Sequence, residues 1–199
     1  MENKVDVNES NTKFGFIIIG ICIALLIFVL FSFVSFINRK GKVVEKKVTG
    51  GKVVLNYFNY FPGLEVSNLV PTHDSYAIDS NSNTLDFSVD SLLEEAASIE
   101  YEISLAKDSS NFNVSDEDIK IYLEQEKNNQ YVQVVGPTGF VPLKEKTEFG
   151  SKAGDMVLLH VKKTKKTTDN YRLKIWLSDT SKQSSGNYKV NLEVNAVAS

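Results

Sequence analysis

The sequence predicts an all-β protein, an antiparallel β-sandwich, behind one N-terminal transmembrane helix. Three observations lead to this fold class. Residues 14–37 form one apolar run without a charged side chain. The rest of the chain alternates apolar and polar residues with a period of two, which is the pattern of strands that bury one face. No stretch of this body has the period of 3.6 residues that indicates an amphipathic helix.

The apolar run, FGFIIIGICIALLIFVLFSFVSFI, is long enough to cross a bilayer. At about 1.5 Å per residue, a helix over residues 14–37 is roughly 36 Å long, against a hydrocarbon core of about 30 Å. A cleavable signal peptide is the alternative, but its apolar region is usually shorter and follows a positively charged segment. Residues 1–13 are instead acidic in balance. We therefore predict an uncleaved single-pass anchor that places the chain in the cell membrane, with the lipid bilayer as its partner.

Four segments follow from this anchor: a tail over residues 1–13, the helix over 14–37, a basic linker over 38–51 and a β-sandwich domain over 52–199. The linker, NRKGKVVEKKVTGG, is rich in lysine, and the positive-inside rule predicts that its side of the membrane is the cytoplasm. A disulfide-free sandwich on one anchor is, by analogy of fold, more often a cell-surface module. We expect the β domain to be extracellular, and a cytoplasmic domain is the alternative.

Around eight short strands are predicted in the body. The candidates are residues 52–58, 64–70, 85–89, 99–105, 119–123, 131–135, 156–161, 171–177 and 188–196. The sequence Lys-Asn-Asn-Gln at 127–130 predicts a hairpin turn, and residues 91–98 form either a helical turn or a connection between strands. Strands of this number and spacing favour an immunoglobulin-like sandwich first and a jelly roll second.

The last two strands have the clearest alternation of the chain. One face of the first carries Tyr171, Leu173, Ile175 and Leu177, and the opposite face carries Arg172, Lys174, Trp176 and Ser178. The second strand alternates in the same way from Tyr188 to Ala196. We predict that the apolar face of each strand contributes to the core.

Residue types that carry chemistry are few. The sequence contains no Gly-x-Ser-x-Gly elbow, Walker A loop or Gly-rich dinucleotide turn. The one cysteine, Cys22, lies in the apolar run, and the two histidines, His73 and His160, are far apart in the chain, so a zinc site is not expected. The acidic residues Asp116, Glu117 and Asp118, together with Asp108, could offer oxygens to calcium, but they suit capping and solvation better. These features predict a protein that is not an enzyme and that has no cofactor or catalytic residue.

Two features are candidates for a binding surface. Lys162, Lys163, Lys165 and Lys166 form the densest basic run of the body and would attract an anionic polymer or lipid surface. Lysines at a hairpin tip also keep edge strands from aggregating, which is the simpler interpretation. Trp176, on the polar face of its strand, is a candidate contact residue, unless another part of the chain covers that face. The net charge of −3 gives no general attraction for nucleic acid.

Two stretches carry a resemblance to known proteins. They are GGKVVLNYFNYFPGLEVSN at residues 50–68 and DNYRLKIWLSDTSKQSSGNYKVNLEV at 169–194. They resemble uncharacterised single-pass membrane proteins of low-GC bacteria, in which an N-terminal anchor precedes a β-sandwich. The last strand pair is also similar to the sandwich of camelysin-type biofilm-matrix subunits. The resemblance implies a fold and a location, and it carries over no activity and no functional residue.

Together these features predict a bacterial cell-envelope protein that acts by binding, adhesion or assembly. Its partner is expected to be another protein or an envelope polymer, and self-association is a further expectation. A cytoplasm-facing accessory subunit of a membrane complex is the alternative, because the basic linker favours that orientation.

Overall fold

A computed structural model describes residues 21, 43–57, 63–80, 82–96, 98–108 and 114–198 of the chain. Two compact units are distinguished, Met1–Lys40 and Gly41–Ser199, and the described residues other than Ile21 belong to the second. The predicted tail and, apart from Ile21, the predicted anchor over 14–37 lie outside the described residues. Among the residues that are described, no helix has the length and apolar character needed to span a membrane.

The described part of the second unit consists of strands and one short helix. The first six strands are β1 (Val43–Val48), β2 (Gly51–Tyr57), β3 (Gly63–Leu69), β4 (Pro71–Thr72), β5 (Thr84–Leu93) and β6 (Ile99–Lys107). The other five are β7 (Ile119–Lys127), β8 (Gln130–Thr138), β9 (Met156–Lys163), β10 (Thr167–Ser178) and β11 (Gly186–Ala198). Helix α1 (Asp74–Asp79) lies between β4 and β5. This composition confirms the prediction of a mainly β body.

The strands form two sheets. The large sheet has the order β1-β2-β5-β10-β7-β8, and the short strand β4 pairs in parallel with the end of β10. The small sheet has the order β3-β11-β6-β9. All other pairs are antiparallel, as predicted.

The two sheets pack together around one hydrophobic core. From β10 of the large sheet, Tyr171, Leu173 and Ile175 point into it, and from β11 of the small sheet, Val190 and Leu192 do so. The predicted inward faces of both strands are therefore confirmed. Burying an aliphatic or aromatic side chain of this kind stabilises the fold by roughly 1.5–3 kcal/mol.

The hairpin between β7 and β8 also follows the prediction from its sequence. Asn128 and Asn129 connect the strands with φ of 54° and 62°. Two successive residues with positive φ form the type I′ turn, whose twist matches that of the flanking strands, and asparagine tolerates this conformation well.

Two local features differ from the sequence-based expectations. Strand β1 lies inside the stretch expected to be a linker, because Gly50, with φ of 72°, allows a tight turn that pairs β1 with β2. Thr49 and Gly50 therefore form a hairpin turn, and Gly51, the last residue of the expected linker, begins β2. Helix α1 was not predicted from the sequence at all, since its six residues are too few to show a helical period.

Candidate functional site

The lysine run lies at the connection between β9 and β10, and its four members have different surroundings. Lys162 donates a hydrogen bond to Glu100 Oε1 at 2.8 Å, and Lys163 donates one to Asp169 at 2.8 Å. Lys165 and Lys166 are exposed at the tip. Because two of the four charges are paired with carboxylates, the attraction of this run for an anion is weaker than the sequence alone indicates.

Asp169 lies where the two sheets meet beside this connection. Its carboxylate accepts hydrogen bonds from Tyr101 Oη at 3.0 Å, Gln125 Nε2 at 3.1 Å and Lys163 Nζ at 2.8 Å. The hydroxyl of Tyr171 lies 3.0 Å from that of Tyr101. These donors come from both sheets, so the carboxylate joins the sheets at this end of the core.

Trp176 lies well away from the lysine run, so the structure does not unite the predicted binding residues in one site. Lys166 and Trp176 are ten residues apart along an extended strand, and at about 3.3 Å per residue this distance is roughly 30 Å. Trp176 is only 3% exposed, because helix α1 covers it. Its indole Nε1 donates a hydrogen bond to Asp74 Oδ1 of α1 at 3.0 Å.

Helix α1 is held on the outer face of the large sheet by side chains of both elements. Ala77 and Ile78 pack against Trp176 and Tyr122. The ring nitrogen Nδ1 of His73 accepts a hydrogen bond from the backbone N–H of Ser75 at 3.3 Å and so caps the first turn. The tryptophan therefore anchors the helix and is not a surface contact residue.

Replacing Trp176 with phenylalanine tests this interpretation. Phenylalanine keeps an aromatic ring under α1, but the ring is smaller and the hydrogen bond to Asp74 is lost, so we expect the free energy of unfolding to fall by at least about 1–2 kcal/mol. Chemical denaturation followed by circular dichroism measures this change. Val141→Ala, at a residue that is 63% exposed, is the control and should change stability by less than about 0.5 kcal/mol. Equal stability of Trp176→Phe and the wild type would show that Trp176 does not anchor α1.

Lys174 is the second residue that the helix covers, and it is only 4% exposed. Its ammonium group donates a hydrogen bond to the backbone carbonyl of Ile78, the penultimate residue of α1. The same nitrogen lies 3.7 Å from Glu124 Oε2, whose side chain is also nearly buried. An ammonium group held this far from water needs such partners to remain charged.

A pocket of about 180 Å³ opens beside α1, at the end of the large sheet. Lys174 and Trp176 lie along its inner wall, and Asn68, Val70, Tyr76 and Asn83 lie along its outer part. The nearly buried ammonium group of Lys174 and the exposed amide groups of Asn68 and Asn83 therefore line the same small space. A few polar groups that converge on a concave site can fix the orientation of a small ligand.

A wider cleft of about 470 Å³ lies along β1, β2 and β11. In the described part of its lining, two polar side chains are buried, and both are already engaged. Tyr57 Oη donates to the carbonyl of Leu192 at 2.5 Å, and Asn195 Nδ2 donates to Ser151 Oγ at 3.2 Å. The pocket beside α1 is therefore the better candidate for a site that recognises a ligand by hydrogen bonds.

Two of the acidic residues considered for calcium, Asp108 and Asp116, instead pair with lysines of the protein. Asp116 Oδ1 lies 2.5 Å from Lys107 Nζ and accepts a hydrogen bond from Tyr188 Oη at 3.2 Å. Asp108 pairs with Lys189 Nζ at 3.2 Å. Within the described ranges, no group of three or more His, Cys, Asp or Glu side chains is placed to hold a metal ion.

The chain matches no protein-family model and no curated protein sequence.

Proposed function

We propose that this chain is a membrane-anchored protein of the bacterial cell envelope that acts by binding, adhesion or assembly and not by catalysis. The charge-free run over residues 14–37, placed before a strand-rich body, carries the proposal. An anchored domain is concentrated near the membrane, so modest affinity for a partner there is sufficient. The cytoplasm-facing accessory subunit remains the second candidate, favoured by the basic residues at 38–51.

The arrangement of polar groups in the described body supports a binding role. Its carboxylates at the sheet junctions are used to hold strands together, as Asp169 does with Tyr101 and Lys163. Glu102 is used in the same way, because it accepts a hydrogen bond from Thr147 of the loop before β9 at 2.9 Å. Such hydrogen bonds restrict the relative motion of the strands and loops that they join, and preorganisation of a surface lowers the entropic cost of binding.

We further infer that the two packed sheets form a β-sandwich, since both contribute to one core. Immunoglobulin domains have the strand orders A-B-E-D and C-F-G. The two sheets described above differ from this pattern. Their orders are β1-β2-β5-β10-β7-β8 and β3-β11-β6-β9, and the long strand β10 lies inside the large sheet between β5 and β7. The proposed sandwich therefore does not have the strand order of an immunoglobulin domain.

Cysteine labelling in intact cells tests the location of the domain. In a background with Cys22→Ser, single cysteines are introduced as Lys166→Cys in the exposed tip and Asn8→Cys in the N-terminal tail. With a membrane-impermeant maleimide, we expect Lys166→Cys to react in intact cells and Asn8→Cys to react only after lysis. The opposite result would support the cytoplasmic accessory subunit. Labelling of both positions in intact cells would contradict a single membrane span.

A further inference from the structure

The pocket beside α1 combines hydrogen-bonding groups with an exposed aromatic ring. We propose that it binds a neutral sugar unit. Its volume of about 180 Å³ is of the size of one pyranose ring. A sugar ring has hydroxyl groups around its rim and apolar C–H groups on its faces. A site for it needs both donors and acceptors of hydrogen bonds and an exposed aromatic ring.

Lys174 supplies a donor at the inner wall. An ammonium group has three N–H donors. One of them is used by the carbonyl of Ile78, and Glu124 lies at the longer distance of 3.7 Å. Lys174 therefore retains donor capacity for a ligand oxygen in the pocket, in a place where only 4% of the residue is exposed to water.

Asn68 and Asn83 supply donors and acceptors at the outer part. Both have φ of 55°, the left-handed backbone conformation that asparagine tolerates better than most residues. Both side chains are exposed, and within the described part of the chain neither amide group forms a hydrogen bond. Each amide offers two N–H donors and one carbonyl acceptor, which is the combination that a pair of adjacent sugar hydroxyls requires.

Tyr76 supplies the aromatic ring. It lies on α1 and is 70% exposed, which is unusual for a large aromatic side chain in a body with a well-filled core. Val70, which is 57% exposed, lies on the same pocket. Tyr76 and Val70 together give the pocket an apolar edge against which the C–H face of a sugar ring can pack.

The charges around the pocket favour a neutral ligand. Of the described residues that line it, Lys174 is the one that carries a charge, and Glu124 balances that charge at 3.7 Å. The helix that forms one side adds Asp74 and Asp79 at its ends. A phosphate or carboxylate group would therefore meet no positive charge that is not already offset by a carboxylate, whereas a hydroxyl group needs none.

The sugar would belong to an envelope polymer, so this inference rests on the proposed binding role and names the ligand class. It does not depend on the orientation of the chain in the membrane, because binding is measured on the purified protein. A failure of sugar binding and a failure of the labelling experiment are therefore distinguishable.

Titration of the full chain with trisaccharides tests the inference, in a detergent without a sugar head group. The probes are maltotriose, cellotriose and chitotriose, with trigalacturonate as the anionic comparison. Trp176 is the one tryptophan of the chain and lines the pocket, so its emission reports on binding, and calorimetry measures the affinity. We expect at least one neutral trisaccharide to bind and to bind more tightly than trigalacturonate.

Three variants test whether the pocket is responsible. Tyr76→Ala is expected to weaken binding about tenfold, while Tyr76→Phe retains the ring and stays within about twofold of the wild type. Asn68→Gly and Asn83→Gly keep the left-handed backbone but remove the amide, and each is expected to weaken binding about fivefold. Asn129→Gly, at another left-handed asparagine in the β7–β8 hairpin, is the matched control and should leave binding unchanged.

Several results would overturn the inference. One is the absence of any change in emission or heat with all three neutral probes up to about 10 mM, a concentration at which a Kd of about 1 mM gives near-saturation. Others are tighter binding of trigalacturonate, or an affinity that Tyr76→Ala and Asn83→Gly leave unchanged.

Discussion

Replacing Asp169 with alanine is expected to lower the free energy of unfolding by about 3–5 kcal/mol, because it leaves a poorly hydrated lysine without its partner. Lys163 Nζ lies 2.8 Å from the carboxylate, and its side chain is 19% exposed. The variant also leaves Gln125 and the hydroxyl of Tyr101 without their acceptor. Urea denaturation of the full chain, followed by the emission of Trp176, measures the change.

Asp179→Ala is the matched control for this experiment. Asp179 follows the end of β10, in an exposed turn at the other end of the same strand. Its removal should change the free energy of unfolding by less than about 0.5 kcal/mol. If Asp169→Ala and Asp179→Ala had similar effects, the carboxylate of Asp169 would not be joining the two sheets.

Alkaline pH is expected to unfold the protein steeply, because four tyrosines are buried in the core. Burial is the main cause that raises the pKa of Tyr57, Tyr101, Tyr171 and Tyr188 above the usual value of about 10. The folded state therefore retains these phenol protons where the unfolded state loses them. The resulting stability is complete below about pH 10 and is lost as the pH rises towards the folded-state pKa values.

The expected slope follows from the number of protons. Above about pH 10 the folded state binds up to four more protons than the unfolded state, so the free energy of unfolding falls by about 1.4 kcal/mol per pH unit for each tyrosine, or about 5.5 kcal/mol for the four. Urea midpoints at a series of pH values from 8 to 12 measure the slope, and absorbance at 295 nm reports phenolate formation in the same samples.

Tyr76→Phe is the control, because this tyrosine lies outside the core and is 70% exposed, and its replacement should leave the slope unchanged. Tyr57→Phe should reduce the slope by about a quarter. Ionisation of all eight tyrosines near pH 10 in a protein that remains folded would contradict the prediction.

The sequence predicted the strands well where alternation was strict. In β10, the residues from Tyr171 to Leu177 were assigned to the correct faces, because side chains of a strand point to opposite sides with a period of two. The turn at Asn128 and Asn129 was also predicted, since its conformation depends on local backbone preference. Helix α1 was missed because its stability comes from packing on Trp176 and from the bond between Asp74 and the indole.

The candidate pocket was not predicted from the sequence either, because its residues come from distant parts of the chain. Asn68 and Asn83 lie on either side of α1, and Lys174 is about ninety residues further along. Nothing in the local sequence of any of them indicates that they share a space.

The sequence by itself determined which side of each strand is apolar and therefore that two sheets would bury those sides together. Only the tertiary structure decided the surroundings of the polar side chains. Helix α1 covers Trp176 and Lys174. Lys163 pairs with Asp169, and Tyr76 remains exposed. The physical reason is that periodicity assigns a residue to a face, whereas covering and pairing depend on strand order and on contacts between residues far apart in the chain.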